Sequence, residues 1–426
     1  MIRRPPRSTL SSSSAASDVY KRQTEKYDPV SSLILENGGI LPFAKRLKEG
    51  VVELPEFSTQ ERPMTMIEKL VSNKLLGTNG KKRFVTPGDA VLAQVDGGYS
   101  HEFTTAQVHT FLADEYGEDY EIPSPSKFAV FEDHLLYATG VPRFGKFTDK
   151  IQTLRDMQNS FQEHTGVRDY SAKDGVSPGI CHQVAREEFI DVGDFIQATD
   201  SHTCMGGASN SLAYGVGSTE YANLIHNQFA FVNVPESIRF ELIGELDPGC
   251  TAKDVILHIL WRFAAESETL DMSMEFGGEG LASLSMDERA TLCNMATECS
   301  AKTGICEADE ITVDWLISRR EDLDAASIRR DFVLPDFGAV YGGGVHEIDL
   351  SQIRPMVAHP GSPDEGVPSD PTNGAYIDDI GDVAIDIAYA GSCTAGKDDD
   401  FSYYAMVCEA AQYSGLGVSD SVDCYI

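Results

Sequence analysis

The sequence predicts an α/β fold with mainly parallel sheets. Short apolar runs rich in β-branched residues alternate with helical patterns from about residue 30 to residue 235, which is typical of parallel strands joined by helices. Polar residues follow several of these runs directly. The chain has 426 residues, of which 42% are hydrophobic, so it can form several cores and is expected to contain about three domains.

The first α/β domain is expected over residues 25–235. Its strands include the apolar runs at 91–95 and 195–198, with Gly97-Gly98 predicted as a turn before His101. A second α/β unit is expected over residues 236–354.

This second unit begins with a strand at 240–246 and a turn at 247–249. Thr251 and Asp254 have the spacing of a capping box and predict a helix continuing through Phe263. The proline-rich segment 355–371 marks a boundary.

The last part of the chain, residues 355–426, is expected to be a partial third domain with one good strand at 383–390. Residues 415–426 resemble a turn leading into a strand, so we expect the native protein to continue. Residues 1–24 contain five basic side chains against one acidic one and a serine run. That composition suits a transit peptide, but the segments 2–10 and 18–23 resemble translated sequencing-adapter sequence, and we expect a disordered tail.

Composition excludes several classes of protein. The net charge of −33 opposes long-range attraction to nucleic acid or anionic membranes, and no apolar run approaches the roughly 20 residues of a membrane helix. Nine scattered cysteines, with no Cys-x-x-Cys pair and no signal peptide, favour reduced thiols and a cytoplasmic location.

The most informative stretch is Asp200-Ser201-His202, which follows the apolar run 195–198 and precedes glycines. Three proton-handling groups at the end of a buried strand indicate a site. Consecutive side chains on an extended segment point to opposite faces, so these three cannot form a serine-hydrolase triad. Each must have partners elsewhere.

Similar strand-end positions supply candidate partners in Asp133-His134, His182 and His101. A lone histidine in such a place is usually a structural hydrogen-bonding group, but four of the ten histidines lie there. The residue types also allow a cluster-free metal site, as in a metal-dependent hydrolase. Its ligands would come from His101, Asp133, His134, His182, Asp200 and His202.

Two further segments carry candidate chemistry. Cys393 follows the apolar run 383–390 among small residues, so its thiol can be a metal ligand, a nucleophile or a free structural thiol. Asn294 and Glu298 lie four residues apart in a helix-favouring stretch and are expected to share one face. That face could also be an exposed polar stripe.

Several ordered motifs resemble the aconitase and isopropylmalate dehydratase superfamily, nearest to the large subunits of isopropylmalate dehydratase and homoaconitase. The resemblance covers roughly residues 25–426. Its motifs lie at 64–69, 87–89, 178–183, 198–207, 214–220, 284–298 and 389–394.

The resemblance implies aconitase-like three-layer α/β/α domains and a [4Fe-4S] cluster with Cys393 as one ligand. Two more cysteine ligands are then expected beyond residue 426. It also implies that the catalytic groups are the pairs Asp133–His134, His182–Asp200 and His202–Glu298. In this family pattern Ser201, His101 and Asn294 line the substrate or cluster pocket.

The implied reaction is the reversible dehydration and rehydration of a 2-hydroxy di- or tricarboxylic acid, most simply an isopropylmalate-type acid. Hydroxide is a poor leaving group, so a Lewis acid and a general acid are required. A small subunit with a swivelling domain would supply the proton-abstracting serine, so this chain is expected to be inactive without that subunit and without the C-terminal part that carries the remaining cluster ligands. Ala395 and Lys397 depart from the asparagine and arginine usual in the family, and an inactive homologue is the other alternative.

Overall fold

The computed structural model describes residues 27–55, 60–77, 83–136, 138–360 and 373–426. The chain divides into two compact units, Met1–Ser58 and Thr59–Ile426. In the first unit, α1 (Pro29–Glu36) begins at Asp28, whose carboxylate accepts the Ser31 backbone N–H at 2.8 Å. α2 (Ile40–Lys48) follows it. The expected tail of residues 1–24 lies outside the described residues.

The second unit holds the remaining elements. Its helices are α3 (Met66–Lys74), α4 (Thr105–Tyr116), α5 (Thr148–Thr165), α6 (Cys181–Glu188), α7 (Ser218–Asn227), α8 (Ala252–Ile259), α9 (Met286–Asn294), α10 (Glu310–Arg319), α11 (Ala325–Arg330), α12 (Ile377–Ile380), α13 (Ser392–Ala395) and α14 (Asp398–Tyr413). Its strands are β1 (Ala90–Gln94), β2 (Gly97–His101), β3 (Phe128–Phe131), β4 (Arg168–Tyr170), β5 (Phe195–Ala198), β6 (Leu212–Gly215), β7 (Phe229–Asn233), β8 (Ser237–Ile243), β9 (Ser273–Gly277), β10 (Thr303–Cys306), β11 (Val345–Asp349), β12 (Met356–Ala358), β13 (Gly374–Tyr376), β14 (Ile387–Tyr389) and β15 (Asp423–Tyr425).

The first sheet has five parallel strands in the order β4-β3-β2-β5-β6. The turn predicted at Gly97-Gly98 is wrong, because both glycines belong to the central strand β2. A Cβ on Gly98 would lie 2.2 Å from the Gln197 carbonyl oxygen, and one on Gly97 would lie 2.6 Å from that of Lys127. Glycine is therefore required here for close strand packing rather than for a turn.

Helices cover both faces of this sheet. On β3, Phe131 belongs to the apolar cluster that also contains Val184 and Ala185 of α6. Phe128 points to the opposite face and makes an edge contact with the ring of Tyr221 on α7, with ring centroids 6.4 Å apart. This alternation along one strand produces three layers, helix, sheet and helix.

The second sheet has four parallel strands in the order β10-β9-β8-β11. Its core combines side chains of β8, α8 and α9. The capping box predicted at Thr251 and Asp254 is present and begins α8. The α-helix ends at Ile259 and continues as a π-helical turn, Leu260–Ala264, so the predicted extent through Phe263 is confirmed with a change of helix type.

Three small sheets complete the unit. The antiparallel pairs are β1 with β7 and β12 with β13, and the parallel pair is β14 with β15. The predicted strand at 91–95 is therefore present, but it lies outside the parallel sheet. The strand predicted at 383–390 is correct only over Ile387–Tyr389.

The prediction of an α/β fold with mainly parallel sheets is confirmed. The division at residues 235 and 354 stays a prediction, as does the boundary over 355–371, of which residues 361–372 are not described. Among the helices of the described residues, none is long and apolar enough to cross a membrane.

Candidate functional site

The candidate site lies where three neighbouring strands of the first sheet end. β2 ends at His101, β3 ends two residues before Asp133, and β5 ends two residues before Asp200. Since the strands are parallel and adjacent, their carboxyl ends meet at one edge of the sheet. Residues that are up to 99 positions apart in the chain are thereby brought together.

Asp200 is the centre of this cluster. One carboxylate oxygen accepts from His182 Nε2 at 2.9 Å and from the His202 backbone N–H at 2.8 Å, and the other accepts from His134 Nε2 at 3.2 Å. Burial alone would raise the pKa of Asp200, but these histidines outweigh it and hold the pKa well below its usual range. Asp200 is therefore ionised at neutral pH.

His134 donates from both ring nitrogens to carboxylates. Its Nδ1 lies 2.8 Å from Asp133 Oδ1, and its Nε2 bonds Asp200. These two hydrogen bonds raise the pKa of His134 to about 10, so it is an imidazolium at neutral pH. His101 stacks on it with ring centroids 4.1 Å apart. Burial and the His134 charge lower the pKa of His101 to about 4, so His101 is neutral.

His182 is held on both sides of its ring. Its Nδ1 lies 2.7 Å from the Tyr99 hydroxyl, opposite the Nε2 that bonds Asp200. His182 is the second residue of α6, and the first backbone N–H of that helix, from Cys181, donates to Asp133 Oδ2 at 2.8 Å. Asp133 thus joins the helix N-terminus to His134.

His202 Nε2 lies 2.8 Å from Glu298 Oε1. The Asp200 carboxylate, whose Oδ1 lies 3.7 Å from His202 Nδ1, and the hydrogen bond to Glu298 raise the pKa of His202 to about 10. Burial alone would raise the pKa of Glu298, but the bond from His202 lowers it overall. The expectation that Asn294 and Glu298 share one helical face is wrong: α9 ends at Asn294, and Glu298 lies in the following turn.

Asn294 lies next to the turn that carries Cys393. The fully buried Asn294 accepts from Thr394 Oγ1 at 2.8 Å, and the half-buried Cys393 thiol lies 4.0 Å from the same oxygen, Oδ1. Lys397 is buried as well, and its ammonium donates to Asp400 Oδ2 at 2.7 Å and to the Thr394 carbonyl oxygen. Lys397 therefore closes the short turn that carries Cys393.

Ser201 is exposed, and its hydroxyl lies 3.4 Å from His202 Nδ1. Its carbonyl oxygen accepts from Thr297 Oγ1 at 2.7 Å, which ties the Asp200 loop to the Glu298 turn. Asp200, Ser201 and Thr297 also border an open cleft of about 590 Å³. The structure thus brings all ten predicted site residues into one region, although their roles stay predictions.

A cluster-free metal site would have to use His101, Glu102 and His134, whose potential ligand atoms lie within 4.8 Å of one another. Glu102 is fully buried, and its carboxylate accepts the backbone N–H groups of three residues, including His134 at 2.8 Å. His134 has no free lone pair, because both its nitrogens donate. Because Glu102 and His134 already use their side-chain oxygen and nitrogen atoms in hydrogen bonds, the described residues disfavour the metal site of a metal-dependent hydrolase.

Two supporting residues were not anticipated from the sequence. Glu102 organises the loop after β3, and Tyr99 orients His182. The only available signal for Glu102 is its position directly after a strand-end histidine. Tyr99 gives no signal, because an aromatic residue inside a strand is ordinarily a core residue.

Comparison with known proteins identifies the relatives of this chain. The chain is 34% identical over 354 residues to a probable 3-isopropylmalate dehydratase large subunit of Methanothermobacter thermautotrophicus, covering 83% of this chain and 76% of that protein. It is 32% identical over 351 residues to the chloroplastic 3-isopropylmalate dehydratase large subunit of Arabidopsis thaliana, covering 82% of this chain and 64% of that one.

The methanogen homoaconitase large subunit of Methanocaldococcus jannaschii is 31% identical over 352 residues, covering 82% of this chain and 75% of that protein. The chain therefore spans between 64% and 76% of the length of these relatives. Residues 73–426 match the family described as aconitase family (aconitate hydratase). The chain belongs to the aconitase family.

Proposed function

We propose that this chain is the large subunit of a hydro-lyase that isomerises a 2-hydroxy acid by dehydration and rehydration, with a 3-isopropylmalate-type acid as the first candidate. The observation that carries the proposal is the Asp200 carboxylate, which accepts hydrogen bonds from two imidazoles and from the backbone of a third histidine. Two of these three, His134 and His202, have raised pKa values. This arrangement keeps the imidazoles of His134 and His202 protonated near the open cleft that Asp200 borders.

In this proposal His134 and His202 hold the protons needed to convert a leaving hydroxyl into water. The His134 imidazolium is hydrogen-bonded to Asp133 and Asp200. The His202 imidazolium is hydrogen-bonded to Glu298, and its Nδ1 lies 3.7 Å from the Asp200 carboxylate. The fixed carboxylates keep the rings oriented while a proton is donated. His182 is a positioning residue, because its ring is bonded at both nitrogens, and Ser201 is exposed where a substrate hydroxyl or carboxylate could bind.

Membership of the family suggests an iron–sulfur cluster, and the donor set of the chain fits one in part. Cys393 presents a half-buried soft donor beside His202 and Asn294, so we assign it as one thiolate ligand. When bound, the cluster would supply a Lewis acid for the substrate hydroxyl. Cys393 alone cannot hold a cluster, so the proposal requires further cysteine ligands, which we expect outside the described residues near Cys393.

The names of the relatives suggest a partner subunit, and the cysteines suggest a cellular compartment. The relatives are named large subunits, so we propose a small-subunit partner that completes the substrate pocket. All nine cysteines are free thiols, which supports a reducing compartment such as the cytoplasm. The names of the relatives include both isopropylmalate and homoaconitate enzymes, so we propose the substrate at the level of its class.

The test combines the native chain, together with any residues that its gene encodes after Ile426, with its small subunit under anaerobic conditions, with ferrous iron and sulfide supplied. Isopropylmalate, homocitrate and citrate are offered in turn, and the unsaturated acid is followed by its ultraviolet absorbance. We expect product from at least one acid and about a hundredfold less with His202→Gln. Absence of product from all three acids, with iron and sulfide bound, would indicate an inactive homologue.

A further inference from the structure

Lys253 is a cation next to the candidate site that the proposed reaction does not use. It lies in the first turn of α8, and its side chain is exposed. Its ammonium lies 3.1 Å from the thioether sulfur of Met295, which follows Asn294 directly. No carboxylate of the described residues lies within the 4.0 Å of an ion pair with it.

A small cavity of about 20 Å³ supports the position of Lys253 beside the Cys393 turn. Lys253, Thr394 and Ala395 line this cavity together with four acidic residues, Asp287, Glu288, Asp399 and Asp400. Packing of the protein around the ammonium and the neighbouring charge of Lys397 lower the pKa of Lys253, whereas the charges of Glu298, Cys393 and Asp400 act to raise it. The geometry agrees, because the ammonium contacts Met295, and the preceding residue, Asn294, has its Oδ1 4.0 Å from the Cys393 thiol.

Lys397, the other lysine near Cys393, is not available to bind an added anion. Its ammonium is buried and already donates to the Thr394 carbonyl oxygen and the Asp400 carboxylate. Lys253 has an exposed side chain and a thioether as its one hydrogen-bond partner among the described contacts. A thioether is a weak acceptor, so the ammonium can bind a stronger anionic partner without losing a strong bond.

We infer that Lys253 forms a carboxylate-binding subsite beside Cys393. The inference rests on the proposed function for the identity of its ligand, a hydroxy di- or tricarboxylate. Such an acid carries at least two negative charges, and Asp200 and Glu298 already make the site acidic. A free ammonium at the Cys393 turn compensates one substrate carboxylate and orients the acid toward His202.

The test uses two alkylating reagents of similar size, anionic iodoacetate and neutral iodoacetamide. The full chain is freed of iron by a chelator, and alkylation at Cys393 is measured by peptide mass spectrometry. The exposed Cys424 is the reference within the same chain. The iodoacetate-to-iodoacetamide rate ratio at Cys393, relative to Cys424, is expected to fall about fivefold in Lys253→Met and to be retained in Lys253→Arg.

Lys173→Met is the matched control, because Lys173 is 78% exposed and its removal changes the net charge by the same amount. If Lys253→Met slows both reagents equally, or has no more effect than Lys173→Met, the subsite is excluded. Malate then tests the ligand. Protection of Cys393 by malate in the unsubstituted chain supports the substrate class. Loss of the iodoacetate preference without malate protection retains the anion subsite and contradicts a hydroxy dicarboxylate as its ligand, whereas failure of the proposed function is read separately, from the turnover test.

Discussion

The hydrogen bonds of Asp200 hold two imidazole rings in place, so a change at this one residue tests the arrangement most directly. Asp200→Asn keeps the size of the side chain but removes its charge. We expect the pKa of His134 to fall from about 10 toward the ordinary histidine value, as measured by NMR titration. Activity of the complex with the small subunit should fall at least a hundredfold.

Asp149→Asn is the control for this substitution, since Asp149 is exposed in the first turn of α5. It should leave both the His134 titration and the activity unchanged. An unchanged His134 pKa in Asp200→Asn would contradict the hydrogen bond between these two residues. A lowered pKa with full activity would remove His134 from the proposed chemistry.

The pair formed by His202 and Glu298 predicts a dependence of stability on pH. The pKa of His202 is raised to about 10, so its contribution is fully present below about pH 6.5, the unfolded histidine value, and is lost as pH rises toward 10. The pKa of Glu298 is lowered, so its contribution is present above about pH 4.3 and is lost in acid.

Thermal unfolding of Glu298→Gln and the unsubstituted chain should therefore differ most between about pH 5 and pH 6.5. The difference in Tm should shrink as pH approaches 10. Glu310→Gln is the control, because Glu310 forms an exposed pair with Arg329 and lies away from histidines in its described contacts. A difference in Tm that grows steadily with pH would contradict the pairing.

At the scale of elements, α9 connects the second sheet to the Cys393 turn. Its capping residue Ser285 accepts the Glu288 backbone N–H at 3.2 Å and also donates to Asp399 Oδ2 at 2.5 Å, in the first turn of α14. Ser285→Ala should lower the free energy of unfolding by about 1 kcal/mol. It should also increase the alkylation of Cys393 by iodoacetamide.

Thr65→Ala is the matched control, because Thr65 caps α3 in a capping box of the same kind. It should lower stability comparably and leave Cys393 alkylation unchanged. Equal alkylation in both variants would show that the bond from Ser285 to Asp399 does not hold the Cys393 turn. Urea unfolding and mass spectrometry give the two quantities separately.

The elements show which patterns the sequence could predict. The Thr251 capping box depends on two residues three positions apart, and β5 depends on a continuous apolar run, so both were predictable from local sequence. The end of α9 before Glu298 was not predictable in this way, and neither was the bond of Glu298 to His202, which joins residues 96 positions apart. The strand through Gly97-Gly98 was missed for a similar reason, since neighbouring carbonyl groups rather than local propensity require glycine there.

At the scale of the whole molecule, the candidate site depends on topology. The order β3-β2-β5 brings together the ends of strands that are remote in the chain. The family resemblance implied the pair His182–Asp200, but not the further bonds that Asp200 accepts from His134 Nε2 and from the His202 backbone N–H. The shared connection through Asp200 needs the register of the sheet and the first turn of α6, neither of which a single sequence specifies.

The open state of the site leads to a prediction about the partner. The side chains of His134 and His202 are 32% and 26% exposed, although they stand at the centre of the proposed chemistry. Water in an open site weakens the electrostatic interactions on which proton transfer and carboxylate binding depend. We therefore expect no measurable turnover without the small subunit, and turnover when the small subunit covers the site of a chain that carries all its cluster ligands.

Acylation of imidazoles by diethylpyrocarbonate, read by peptide mass spectrometry, tests this covering directly. His134 and His202 should be modified in the chain alone and protected at least severalfold in the complex. His258 lies on α8 away from the Asp200 cluster in its described contacts, and its modification should not change. Turnover should rise with small-subunit concentration in parallel with the protection. Steady turnover by the chain alone, or turnover without protection of the two histidines, would contradict a partner that completes the site.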